Sequence, residues 1–555
     1  MKKFLIVALC VLAATSAAGQ DAVFSWFRYD GSDARFQVRA DPACEYINPI
    51  LAGFYPDPAI CRKGDTYYMV NSTFAFYPGV PIFKSKDLVN WKQTGHVLDR
   101  PSQLPLDSVA VSDGIYAPGI SYNQYNDTFY MVSTNVHGGG TFFVKAKDPE
   151  GPWSEPVWFP GMEGIDPSFL FDDDGKAYMV RNTPVPGGEA YPGQRSIMLL
   201  EFDVENDCLV GEPVELVRGG SSVLEKPTWI EGPHLYHIGD YYYLMCAEGG
   251  TGENHSEVVF RSRMPRGPWE ECPFNPILTQ RSGVDTGRYD SVTSTGHADL
   301  FQTPEGEWWA VFLGCRPYEN GLYNTGRDTY LLPVSWKDGW PVILESGKAV
   351  PTVVRKDGLQ PGSGDAFLTG NFSYTDNFQA PQLDRRWMFL RNPPEGAFEL
   401  SGEGLTLRPT LGSIRNKKPL AAVFCRQQHT NFTAQTRLSF RATSSHRLAG
   451  LALFQDEDHN LVFGKTLIHG QPAVVLRRTD KEEAVIGSCI LSSNDEPLHL
   501  KVEAEGRYYS FYYAEGDAIA WHPLALGVDC SNLSTEVSGG FIGAVIGLYA
   551  TRKNL

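Results

Sequence analysis

The sequence predicts an all-β chain, a five-bladed β-propeller followed by a β-sandwich. Three observations predict it. Long runs with apolar residues at helical spacing are nearly absent, and short β-branched or aromatic runs bounded by Gly, Pro, Asn and Asp take their place. A unit made of a polar turn and an aromatic strand recurs five times before about residue 354. After a Gly- and Pro-rich stretch, alternation of apolar and polar residues returns and runs to the C-terminus. The length of 555 residues also exceeds the roughly 250–300 residues that one core holds, so more than one domain is expected.

The first 19 residues read as a secretory signal: Met1, Lys2 and Lys3, an apolar run over 4–14, then Ser16, Ala17, Ala18 and Gly19. That run is too short to span a bilayer, and no later segment is long and apolar enough. Export is therefore expected, to the periplasm or beyond it, with no membrane span. Residues 20–46 form a short lead-in.

The propeller is expected over 47–354. Its aromatic strands are GDTYYMV at 64–70, NDTFYMV at 126–132, DGKAYMV at 174–180, GDYYYLM at 239–245 and EGEWWAV at 305–311. Tyr68, Tyr130, Tyr178, Tyr243 and Trp309 are thus spaced by 62, 48, 65 and 66 residues. Further strands that end in a turn and a Trp lie at 82–91, 143–153, 259–269 and 331–336. Radial repetition of this kind makes blades of four short strands around an axis. A sandwich or barrel with coincidental turns is the competing reading.

Residues 355–371, with KDGLQPGSGD at 356–365, have linker composition. The sandwich is expected over 372–555, from alternating runs at 398–407, 432–440, 449–454, 473–478, 498–503 and 508–513. GGFIGAVIG at 539–547 is its expected last strand.

The formal net charge is −17; residues 1–19 hold two lysines and no acid, so the remainder carries −19. Such a chain repels nucleic acid and anionic membranes and suits a neutral substrate. Aromatic residues make up 12% of the chain, and their faces stack on the apolar faces of sugar rings as well as filling cores. Nine cysteines follow residue 19, odd in number and widely spaced, with no C-x-x-C pair. This is neither a disulfide framework nor a zinc site, although one or two disulfides are admitted in an oxidising compartment.

Three acids stand in separated, similar contexts: Asp57 in GFYPDPAI, Asp166 in EGIDPS and Glu231 in WIEGPH. Each lies beside Pro or Gly at the start of an apolar, strand-like run. In a propeller the innermost strands converge on the axis, so acids in different units can face one pocket. Cleavage of a glycosidic bond needs one carboxylate as base and one carboxylic acid as proton donor. A third carboxylate can keep the donor protonated by like-charge repulsion.

At these motifs the chain resembles glycoside hydrolase family 43. The matching pieces, in order, are NPIL at 48–51 running into FYPDP at 54–58, residues 72–80 with SKDLVNW at 85–91, Ala117-Pro118, GIDPS at 164–168, EGPH at 231–234, Gly296-His297-Ala298 and GRDT at 326–329. Linker and sandwich match the two-domain branch of the family. The resemblance implies inversion, with Asp57 as general base, Glu231 as general acid, and Asp166 orienting the acid and raising its pKa. It implies that Arg327 contacts the bound sugar and that His255 stands near the acid. It places Phe74, Phe76 and Tyr77 in the loop walling the sugar pocket. His297 resembles a central-channel histidine that in some members binds calcium together with waters; no cofactor is required, and calcium is admitted. Phe541 is a candidate for the sandwich Phe that closes the pocket, with a core strand residue as the alternative.

One segment departs from the β-xyloside-cleaving pattern: Tyr116 and Gly119 flank the Ala-Pro pair where a Trp and a His are common. This implies different room beside the scissile sugar and brings an α-L-arabinofuranosidase forward, acting from chain ends on hemicellulose-derived glycans. A β-D-xylosidase is the alternative within the family. A non-catalytic glycan-binding propeller would need one of the acids missing. A retaining fructan-cleaving enzyme has a different opening motif from YPDP.

Overall fold

Five antiparallel sheets follow one another around an axis between Ala59 and Pro333. The computed structural model describes residues 21–281, 288 and 290–552, so the expected signal segment lies outside the described residues. The innermost strands are Ala59–Lys63, Gly119–Asn123, Ile165–Phe171, Glu231–Ile238 and Thr293–Gln302. Each packs against the next, and the fifth returns to the first, which closes the ring. The five aromatic motifs supply the second strand of each blade, from Thr66–Val70 round to Trp308–Cys315. The fifth sheet has three strands. The chain near Leu51 lies along its outer edge, where the Thr329 amide donates to the Leu51 carbonyl (3.0 Å) and the Ile50 amide to the Thr329 carbonyl (2.9 Å). Closure of this kind leaves few open strand edges.

The C-terminal sandwich is a six-stranded sheet packed on an eight-stranded one. Most of the six-stranded sheet is buried on both faces, and its edge strand Glu482–Ile490 is exposed. In its strand Ala421–Arg426, Ala421, Val423 and Cys425 face the sandwich core, while Ala422 and Phe424 join a second core with Phe54, Phe74 and Ile115 of the propeller. Strand Arg447–Phe454 divides the same way, with Leu451 and Leu453 inside and Ala452 and Phe454 toward the propeller. Two-sided burial removes the polar half of the alternation, so these strands read as continuous apolar runs. Phe424 and Phe454, fully buried, each contribute about 1.5–3 kcal/mol to this layer.

Three segments differ from the sequence reading. The lead-in contains strand Ala22–Gly31, which pairs with Phe372–Asp376, Gly404–Leu407 and Asn431–Ser439 inside the eight-stranded sheet. A bulge between Phe24 and Trp26 shifts the register and breaks the alternation that would have marked it. The stretch after Arg355 has linker composition but follows the first blade: Asp365 donates its amide to the Trp91 carbonyl (2.7 Å) and accepts from the Gln93 amide (2.9 Å). The last sandwich strand is Val545–Arg552, and 539–544 is a loop. Gly539 and Gly540 there have φ of 75° and 81°, which an extended strand does not use. The nine described cysteines are free thiols, against the one or two disulfides admitted. Among the described residues no helix is long and apolar enough to cross a membrane.

Arg316 ties these parts together. Its guanidinium forks onto Asp328 with two bonds of 2.9 Å, reaches Asp33 of the lead-in at 3.2 Å, and donates to the Gln428 carbonyl of the sandwich at 2.9 Å. Asp33 in turn accepts the Thr430 and Asn431 amides. Burial disfavours the Arg316 charge, but the two carboxylates outweigh it and hold the group protonated. Arg316→Met leaves two buried carboxylates unpaired and is expected to cost about 3–5 kcal/mol. An unchanged urea-unfolding midpoint would contradict this.

Candidate active site

The five inner strands begin alike. Asp57-Pro58, Ala117-Pro118, Asp166-Pro167, Gly232-Pro233 and His297-Ala298 occupy equivalent places, because the residue two positions on from the first of each pair opens the regular pairing. Those pairs are Ala59 with Val70, Gly119 with Val132, Ser168 with Val180, His234 with Met245 and Asp299 with Val311. Four of the five leading residues have left-handed backbone: Asp57, Asp166, Gly232 and His297, at φ of 52°, 54°, 53° and 53°. Register shifts sit at the last three. Such irregularities re-aim a side chain out of the sheet alternation, here toward the axis. Left-handed backbone is uncommon away from glycine and marks functional sites when it recurs. A side chain at residue 232 would meet the His297 ring at 3.0 Å, so glycine is required there on two counts.

These positions surround a cavity of about 410 Å³, lined by Asp57, Asp166, Glu231, His297, Arg327, Phe74, Tyr116 and Phe541, with Ala117, Ile165, Trp229, Gly250 and Thr251. The three acids expected from sequence thus meet in one place. Asp57 accepts from Arg327 Nη1 at 2.7 Å and from Ser72 Oγ at 2.6 Å, with His297 Nδ1 at 3.8 Å. Burial pushes the Asp57 carboxyl up, but Arg327, then His297 and Ser72, outweigh it and hold Asp57 below the ordinary carboxylate range. Burial raises Asp166 to about 7, helped by the charge of Asp57 and opposed by the Gly232 amide, which donates to its Oδ2 at 3.1 Å. Burial, then the charges of Asp166 and Asp57, push Glu231 well above its usual value. One cavity therefore holds a carboxylate kept ionised and a carboxyl group kept protonated.

Arg327 also donates to the Phe541 carbonyl at 3.0 Å. Phe541 comes from the 539–544 loop of the sandwich and is not a core strand residue. Its amide donates to Ser112 Oγ at 3.0 Å, and Gly326 leaves room for Gly543, whose backbone would lie 2.7 Å from any side chain at 326. Phe74, Tyr116 and Phe541 form one aromatic wall, with centroids 5.4 to 5.9 Å apart. Phe76 and Tyr77 are not in the lining; they form a short strand paired with Phe389–Leu390 of the sandwich.

Two expected positions lie behind the wall. His255 is 1% exposed, bonded through Nδ1 to the Ser294 carbonyl at 2.9 Å, and covered by Gly296, where a side chain would strike its ring. It does not line the cavity. Burial lowers it to about 4, as it does His297, so both are neutral near pH 7. Gly119 does not enlarge the cavity either: a side chain there would meet the Pro167 carbonyl at 2.7 Å, so the glycine serves the contact between blades. Calcium takes six to eight oxygen ligands. Among the described residues no three His, Cys, Asp or Glu side chains are grouped to hold a metal ion, so calcium held at His297 would take most of its ligands from water. Trp229, Gly250 and Thr251 were not legible as site residues. Trp229 stands two residues before Glu231, and that proximity was the available signal.

Residues 46–341 match the sequence profile of the Glycosyl hydrolases family 43, and 375–554 match the Beta xylosidase C-terminal Concanavalin A-like domain. The chain is 39% identical to a xylosidase/arabinosidase of Butyrivibrio fibrisolvens, over 91% of this chain and 95% of that protein. It is 37% identical to a non-reducing end alpha-L-arabinofuranosidase of Bacteroides ovatus, over 91% of each. The crystal structure of a GH43_12 retrieved from capybara gut metagenome superposes with a TM-score of 0.89 at 40% identity, covering 96% of this chain and 100% of that one.

Replacing Arg327 tests the electrostatics of the cavity. In Arg327→Met, only His297, Ser72 and His255 are left to oppose burial at Asp57, so its proton uptake moves upward. The site loses about 3–5 kcal/mol with the unpaired buried charge. Carboxyl-carbon NMR across a pH titration reads the shift; a downward or absent shift would contradict the account.

Proposed function

Because the chain belongs to the glycosyl hydrolases of family 43, we propose that it is an inverting exo-glycosidase that releases terminal α-L-arabinofuranosyl residues from hemicellulose-derived glycans. The observation that carries this reading is the opposed protonation of Asp57 and Glu231 across one cavity. In an inverting hydrolysis the base takes a proton from water, the hydroxyl adds to the anomeric carbon, and the acid gives its proton to the leaving oxygen. Asp57, held ionised by Arg327 and Ser72, suits the base. Glu231, kept protonated, suits the acid. Asp166 has the place of the third carboxylate: its charge raises Glu231, and the Gly232 amide favours its own ionised form, so Asp166 gives up a proton first. Arg327 suits both holding the base and meeting the sugar. No step in this scheme runs through a metal ion.

The exo mode is supported by the wall of Phe74, Tyr116 and Phe541, which brings a sandwich loop against the propeller cavity. The preference for arabinose rests on Tyr116 and on the similarity to an alpha-L-arabinofuranosidase. The similarity to a xylosidase/arabinosidase favours a second reading, β-D-xyloside cleavage at the same site. With residues 1–19 read as an export signal, the enzyme works in the periplasm or outside the cell, which N-terminal sequencing of the mature protein tests.

Aryl α-L-arabinofuranoside and aryl β-D-xyloside, assayed side by side with product anomers followed by NMR, separate the two sugars. Faster arabinose release with inversion is expected; xylose preference would replace the sugar and keep the mechanism, and retention would overturn the mechanism. Glu231→Ala is expected to lose about 10²–10⁴-fold on unactivated glycosides and far less on aryl glycosides with good leaving groups, which need no proton. Asp57→Ala loses both. Equal losses for Glu231→Ala on both substrate types would remove it from the acid role.

A further inference from the structure

Trp229 is, among the described lining residues, the one large apolar side chain open to solvent, with 45% of its surface exposed. Its backbone has φ of 51°, in the left-handed region. For a bulky residue that conformation is strained, and it persists where the surroundings enforce it. They do so here. The Trp229 amide donates to the Gly193 carbonyl at 2.8 Å. The next carbonyl, that of Ile230, accepts from Asn182 Nδ2. Asn182 Oδ1 accepts from Arg195 Nε and Nη2 at 3.2 and 3.0 Å, and the Arg195 guanidinium sits 5.5 Å from the Trp229 ring centroid. A side chain at Gly193 would come within 3.3 Å of the indole, tighter than ordinary packing, so that glycine leaves it its space.

Packing does not account for a tryptophan held this firmly and left half open. Ligand contact does. Two residues further on stands Glu231, and in the reading above its proton goes to the leaving oxygen. The group that leaves must therefore depart past this rim. We propose that Trp229 is a specificity-determining platform on which the sugar of the leaving group stacks, one face of the indole being backed by Arg195 and the other offered to the apolar face of the departing ring. The inference rests on Glu231 as the acid. It implies selection for glycosides whose leaving group is itself a sugar ring, beyond recognition of the terminal pentose.

Three substrates carrying the same terminal pentose test it: a disaccharide, a methyl glycoside and a glycosyl fluoride. The methyl glycoside needs the acid but offers no ring; the fluoride needs neither. Trp229→Ala is expected to lower the ratio of kcat/KM for disaccharide over methyl glycoside about tenfold, chiefly through KM, and Trp229→Phe to recover most of it. Equal losses on all three substrates would make Trp229 a structural residue, and no loss on the disaccharide would also overturn the proposal. Glu231→Ala on the same set separates the two readings. Loss on the methyl glycoside with the fluoride spared supports the acid; activity kept on both defeats the acid role whatever Trp229 does.

Discussion

Arg327 holds two things at once. One nitrogen binds Asp57, and another binds the Phe541 carbonyl on a loop from the other domain. The ionised state of Asp57 and the shape of the cavity therefore have a common cause. Without the guanidinium, only His297, Ser72 and His255 would oppose the push of burial on Asp57. Without the loop, Arg327 would face an open groove, where water would weaken its hold on Asp57. Domain packing thus enters the electrostatics of the site directly. The two-sided strands of the six-stranded sheet and the Arg316 network set the distance from which the 539–544 loop reaches in.

The site is also a product of repetition. Each blade offers the axis one residue at the head of its inner strand, and the chain has filled these places with Asp57, Ala117, Asp166, Gly232 and His297. Glu231 departs from this pattern. It stands one residue before its ring position, and Gly232 takes the left-handed place in its stead. The glycine amide then reaches Asp166, which links the two carboxyl groups through a single residue. Small backbone offsets between equivalent blades thus separate chemical roles among similar side chains.

Much of this was legible in the sequence. The aromatic strands recur because each blade needs the same buried second strand, and repetition survives variation in turn length. Asp57, Asp166 and Glu231 were legible because Pro and Gly mark the irregular head of the inner strand. What failed to read depends on contacts between distant segments. Strand Ala22–Gly31 hides behind its bulge. His255 and Gly119 sit near the cavity in sequence terms, but the Gly296 backbone and the Pro167 carbonyl place them behind its wall. Trp229 looks like an ordinary strand-entry residue until its backbone angle turns it outward.

Strand Ala22–Gly31 has a further meaning for a chain made from its N-terminus. Its sheet partners begin at Phe372, so roughly three hundred and fifty residues must emerge before the first of them appears. The strand lies within its sheet, and the sandwich cannot close around a gap there. The propeller, by contrast, has its ring of strands in hand by Pro333. Long-range pairing of this kind is slow and leaves a strand exposed while it waits. Segments from before and after the propeller are sewn into one domain, so the order of synthesis and the order of assembly run differently, and the sandwich is not a continuous stretch that could be cut free at the segment joining the two.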